Sequence, residues 1–151
     1  MSRAQTFVAV QFGLFAVLMI ALIATPAEQV LMVRVLGLAL IAGAVVVLAA
    51  AVLAYQTTNR SLPNVTPTPN SRAALVTSGV YGVIRHPIYT AVLLASMGVA
   101  LAHGHALPLL VAAVMIGFFT LKARYEERLL SAAYPEYAAY MGRTGRFLPF
   151  L

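Results

Sequence analysis

Cysteine is absent from the chain, which removes any disulfide framework, thiolate nucleophile or zinc–thiolate site. Charge is scarce too. Asp, Glu, Lys and Arg make up 9% of the residues against 62% that are hydrophobic, where a soluble domain carries about 25% charge. A chain this apolar cannot cover its surface in water, so the bilayer is its natural solvent. Acidic residues number only four. The net charge of +6 comes from arginines scattered along the chain with no basic run. That pattern argues against nucleic acid and for loops held on one side of a membrane. A length of 151 residues fits one domain, here 1–151 as a single membrane-embedded unit.

Three long stretches carry no charge: Ala4 to Ala27, Val35 to Asn59, and His86 to Leu121. The run from Phe7 to Ala24 approaches the roughly 20 residues of a full span rather than the about 7–15 of a signal-peptide core, so it reads as a retained span. The third stretch, about 36 residues, is too long for one span and is broken by His103-Gly104-His105-Ala106-Leu107-Pro108. The expected fold is therefore all-α and polytopic. It has about four spans, at 7–24, 35–56, 88–102 and 107–121, the last two forming a short hairpin. A polar loop covers 57–87, its part from 59 to 71 punctuated by proline. A tail, 122–151, is expected to form an interfacial helix with Leu130, Tyr134, Tyr137 and Met141 on one face, interrupted near Pro135. Arg60, Arg72 and Arg85 in the loop, and Lys122, Arg124, Arg128, Arg143 and Arg146 in the tail, put both termini and that loop in the cytoplasm.

Chemistry is confined to the polar segments. In the run Thr77 to Tyr89, Pro87 suits the first position of a helix, and His86 before it is pushed out of helical geometry. Arg85 and His86 then stand at a helix start, whose unpaired N–H groups favour an anionic ligand group; alternatively they simply mark the membrane interface. Glu126 and Glu127 hold half of the acidic residues. They either pair with Lys122 or Arg128 along a helix or look into a pocket. Tyr81, Tyr89, Tyr125, Tyr134, Tyr137 and Tyr140 crowd the same segments, as an interfacial belt or as aromatic faces for a cation. His103 and His105 lack further ligands nearby, so no metal site is expected.

Residues 75–89, with their Arg-His-Pro-Ile-Tyr core, together with Glu126-Glu127, the Pro135–Tyr140 turn and Arg146-Phe147-Leu148-Pro149, resemble the isoprenylcysteine carboxyl methyltransferase family. The related phospholipid methyltransferases share the Arg-His-Pro-x-Tyr core. The likeness covers roughly residues 60–150; Gly82 and Ala91 depart from residues common in the family. It implies an integral membrane methyltransferase that uses S-adenosylmethionine on a lipophilic acceptor, expected in a bacterial inner membrane. It implies cofactor contacts at Ala74, Leu75, Val76, Tyr81, His86, Pro87, Ile88, Tyr89 and one of Glu126 or Glu127. Catalytic roles fall to Arg85, His86 and Glu127, and a substrate-positioning role to Lys122 or Arg124. The alternatives are a phospholipid N-methyltransferase, a nicotinamide-dependent membrane reductase, and a non-catalytic lipid-binding membrane protein.

Overall fold

The structure, a computed structural model, describes residues 2–28, 30–63 and 74–149. The expected loop between 64 and 71, and Arg72, lie outside the described residues. Helices α1 (Arg3–Ala24), α2 (Leu31–Asn59), α3 (Pro87–His103), α4 (Ala106–Ala133) and the short α5 (Tyr137–Arg143) follow in order, with a 3-10 turn at Gly79–Gly82 before α3. The described residues contain no strand, only an isolated parallel bridge between Ile84 and Gly145. Helices α1, α2 and α4 are each long and apolar enough to cross a membrane, and α3 is a shorter apolar helix. The chain is an all-α integral membrane protein.

A helix is present at each expected span, and the His103–His105 break is the observed turn. Gly104 ends α3 with φ 89°, a left-handed cap that glycine adopts without strain. The tail differs from expectation. No separate surface helix starts at Lys122; α4 continues to Ala133. Charge marks where the bilayer ends, but Lys, Ala, Arg, Glu and Leu are all good helix formers, so the rod continues past it. The stripe Leu130–Tyr134–Tyr137–Met141 is consequently split. Tyr134 caps α4, Pro135 breaks the chain as expected, and α5 buries Tyr137 and Tyr140 instead.

Packing follows small residues. On α2 the buried positions Gly37, Ala44 and Ala51 recur every seven residues; α3 has buried Ala91 and Gly98 at the same spacing, and Gly37 meets Gly98. This seam lets two backbones approach without a hydrophobic driving force between helices. A Cβ on Gly98 would stand 2.7 Å from the Gly37 carbonyl oxygen. Helix α1 packs mainly on α4, with Leu18 and Ala21 against Val111, Met115 and Phe119.

The lengths of the helices create the site. At one end the turns are level, since Glu28 N donates to the His103 carbonyl at 2.8 Å. Counted from the Gly37–Gly98 crossing, the start of α3 falls roughly 16 Å short of the end of α2. The start of α3 is thus recessed between longer neighbours. The segment from Ala74 runs down to it along α2, held by Asn59, whose amide oxygen accepts from Ala74 N at 2.8 Å and whose nitrogen donates to the Ala74 carbonyl at 3.2 Å.

Gly98→Val should lower stability by about 1–3 kcal/mol through overpacking. Gly117→Ala, where a Cβ would meet nothing within 4 Å, should hold or raise it slightly. Thermal unfolding of the two purified variants in one detergent checks this.

Candidate active site

Pro87 is the first residue of α3 and His86 its N-cap, as the proline rule requires. The backbone of Ile84–His86 beside them pairs with the far end of the chain. Arg85 N donates to the Gly145 carbonyl at 2.8 Å, His86 N to the Arg146 carbonyl at 3.1 Å, and Gly145 N to the Val83 carbonyl at 3.0 Å. Thr90 Oγ1, one turn into α3, donates to the Phe147 carbonyl at 2.9 Å. The C-terminal segment therefore lies against the start of α3.

The centre of this arrangement is Glu127, whose side chain is 8% exposed. Arg85 Nε donates to its Oε1 at 3.1 Å, and Arg146 reaches both oxygens, with Nη2 2.8 Å from Oε2. A carboxylate so far out of water is stable only with such charge-assisted bonds. Arg85 Nη1 also donates to the carbonyls of Met141 and Thr144, so Arg85 serves the protein's own acceptors rather than presenting these donors to a ligand. The hydrogen bond to Glu127 pushes the Arg146 guanidinium above its usual value.

Glu126 is more open, at 24% side-chain exposure. It accepts from Tyr89 Oη at 2.7 Å, and His86 Nδ1 lies 3.7 Å away. The His86 imidazole stacks on Tyr89, centroids 5.2 Å apart and planes within 2°. Its Nε2 is 3.4 Å from Glu127 Oε1, yet is buried without a hydrogen bond.

Of the residues expected in the site, Arg85, His86, Tyr89, Glu126 and Glu127 form this one cluster, with Pro87 buried beneath it and Ile88 half-buried in the first turn. Tyr81 joins through its carbonyl, which accepts from Tyr140 Oη at 2.6 Å. Ala74, Leu75 and Val76 lie on the segment along α2; among the described residues no hydrogen bond or ion pair links them to the cluster. Lys122 and Arg124 diverge. Lys122 is fully buried, with Nζ 5.0 Å from the centre of the Tyr89 ring. Arg124 is exposed and lines an open groove of about 470 Å³ with Glu127, Arg128, Ser131, Met141 and Arg146. Thr90, Thr144, Gly145 and Gln11 were not among the expected site residues. The first three act through contacts between distant parts of the chain, which have no local sequence signature. Gln11 was visible as a lone amide in an apolar span.

The family model described as phospholipid methyltransferase matches residues 32–137. The chain belongs to the phospholipid methyltransferase family, membrane proteins related to methyl transfer. It is also similar to the cobalt-zinc-cadmium resistance protein CzcN of Cupriavidus metallidurans, 38% identical over 78 residues. That stretch is 51% of this chain and 36% of the relative, so the chain spans only about a third of the protein it matches.

Two outcomes follow from the geometry. Glu127→Gln leaves Arg85 facing a neutral amide and should cost about 3–5 kcal/mol. Glu126→Gln, at the more open carboxylate, should cost far less. Thermal unfolding, with hydrogen exchange across residues 144–147, checks both. Burial pushes the Tyr140 phenol up to about 12. Its folded value lies above the unfolded one, so its contribution to stability is complete below about pH 10 and fades as pH rises through 12. In an ultraviolet titration, Tyr140→Phe should remove a phenolate step near pH 12.

Proposed function

We propose that the protein is an S-adenosylmethionine-dependent methyltransferase acting on a lipophilic carboxylate, close in chemistry to isoprenylcysteine carboxyl methylation. The observation that carries the reading is the meeting of the Arg85–Tyr89 segment and Glu126-Glu127 at the recessed start of α3. An amino-acid methyl donor needs an acceptor for its ammonium or ribose hydroxyls, donors for its carboxylate, and electron-rich faces for its sulfonium. Glu126, open and steadied by Tyr89, fits the first need. The first-turn N–H groups of Ile88 and Tyr89, which have no carbonyl within the helix, fit the second. Tyrosine faces fit the third. The His86 ring ties the two carboxylates together at the same place, with Nδ1 3.7 Å from Glu126 and Nε2 3.4 Å from Glu127. The residues present therefore fit S-adenosylmethionine.

When bound, S-adenosylmethionine supplies an electrophilic methyl group whose leaving sulfide needs no proton. The chain's task is then alignment and exclusion of water. Glu126, His86 and Tyr89 are the ligand-facing residues. Glu127, Arg85 and Arg146 are positioning residues that hold the C-terminal segment over them. Ala74, Leu75 and Val76 line the approach along α2. Lys122 beside Tyr89 supports an anionic acceptor, since a buried cation attracts a carboxylate and repels an ammonium. A carboxylate acceptor needs no general base.

A phospholipid amine is the second reading, favoured by the family match. It requires a proton acceptor, for which Glu126, the more open carboxylate, is the nearest candidate. By the positive-inside rule, the end of the bundle bearing the arginines of loop and tail faces the cytoplasm, in a bacterial inner membrane.

The test is binding to detergent-purified protein. S-adenosylmethionine should bind and NADPH should not, and His86→Ala or Glu126→Gln should weaken the methyl donor by about ten-fold or more. Binding of NADPH in its place would overturn the reading.

A further inference from the structure

Helix α1 lies outside the stretch matched by the family, which begins at residue 32, and its composition reads as a plain membrane anchor. One position contradicts that. The buried residues Ala4, Gln11 and Leu18 recur every seven places along the face turned to α4. An aliphatic side chain would serve at the middle of such a stripe, yet it carries an amide that is 8% exposed. A buried amide costs free energy unless bonded. Gln11 Oε1 accepts from Lys122 Nζ at 2.5 Å, a short charge-assisted bond.

Lys122 is the only lysine in the chain, and it is fully buried. Its ammonium lies 5.0 Å from the centre of the Tyr89 ring and 5.9 Å from that of Phe119. Tyr89 is in turn bonded to Glu126. A line of contacts thus runs from α1 to the open carboxylate: Gln11, Lys122, Tyr89, Glu126. The alignment of α1 at this depth is fixed on either side of Gln11. Phe7 packs on Phe118 and Tyr125, at 6.0 and 5.2 Å between ring centres, and Leu18 joins the Met115–Phe119 core. Ionisable groups within spans are costly and mark functional paths. A lysine stem has four rotatable bonds, so an ammonium without a fixed acceptor on the α1 side would sample several positions.

We infer that Gln11 is a positioning residue: α1 supplies an acceptor that helps to hold the Lys122 ammonium against Tyr89, on the side of the site where the lipophilic acceptor's anionic group is received. This rests on the carboxylate methyl-transfer reading given above, and makes the first helix a working part of the site.

The test uses the full chain in detergent or lipid nanodiscs, with Gln11→Leu and Gln11→Glu beside the wild type. A single lysine means that ε-labelled lysine gives one side-chain resonance, readable without turnover. Gln11→Leu should shift and broaden it, whereas Gln11→Glu, which keeps an oxygen acceptor, should leave it sharp. An unchanged resonance in Gln11→Leu overturns the inference. In the second arm, methyl transfer to an S-prenylated cysteine with a free carboxylate is measured. Gln11→Leu should raise KM for that acceptor about ten-fold and keep KM for S-adenosylmethionine within about two-fold. Parallel loss towards both substrates would reveal a merely structural role and sink the idea. If the wild type bound S-adenosylmethionine but transferred only to an amine lipid, the carboxylate reading and the role of Gln11 would fall together. Transfer by the wild type with no change in Gln11→Leu would remove the role of Gln11 alone.

Discussion

A carboxylate held almost out of water imposes the strictest demand in this molecule. Glu127 can stay ionised in its place only while Arg85 and Arg146 donate to it, and those two residues come from opposite ends of a long stretch of chain. Meeting the demand draws the loop before α3, the C-terminal half of α4 and the segment after α5 to one point. The backbone pairing of Val83–His86 with Gly145–Arg146 accompanies it, and brings both guanidiniums to one carboxylate. A buried ion pair of this type seldom adds stability over an apolar replacement, but it is severe on any arrangement that leaves one partner unpaired. Its effect is on the specificity of the fold: the tail has one seat.

The bilayer sets the second constraint, and the two combine. In lipid no apolar effect drives helices together, so the α2–α3 pair relies on close backbone approach at Gly37 and Gly98. That crossing fixes the height of the short α3 against the longer α2. Being short, α3 places its first turn, with its unpaired N–H groups, below the ends of its neighbours. A helix start in that position must be covered or wetted, and the C-terminal segment covers part of it through Thr90 and the Phe147 carbonyl. Of the two carboxylates beside it, Glu126 is the more exposed.

Much of this was legible in the sequence, for reasons that can be stated residue by residue. Spans were readable because lack of charge over about 20 residues has one physical meaning. The α3 start was readable because proline restricts both itself and His86. The end of α4 was not, because Lys122–Leu130 changes polarity without changing helix propensity, and only Pro135 signals a stop. The convergence of Arg85, His86 and Glu127 could be expected from the hairpin, which returns the chain to the same end of the bundle. The contribution of Arg146 to the same knot could not, because its partner depends on a strand bridge one residue long. Lys122 and Arg124, equivalent on paper, were separated by helix geometry alone: two residues apart on α4, one turns inward to α1 and the other to solvent.

The same geometry explains why two adjacent glutamates behave differently. Consecutive residues on an α-helix point about 100° apart, so Glu126 and Glu127 take different hydrogen-bond partners and share only the His86 ring, each beside a different nitrogen. Glu127 faces the C-terminal segment and meets two arginines. Glu126 faces Tyr89 and meets one phenol and the edge of His86. Two guanidiniums satisfy most of a carboxylate's lone pairs, whereas one phenol leaves most of them available. Adjacency on a single turn therefore produces one committed carboxylate and one with spare capacity, rigidly related through the backbone. Any ligand that engages Glu126 is thereby registered against the segment that Glu127 holds in place. A change at Glu127 must reach the ligand through the position of that segment, while a change at Glu126 reaches it directly.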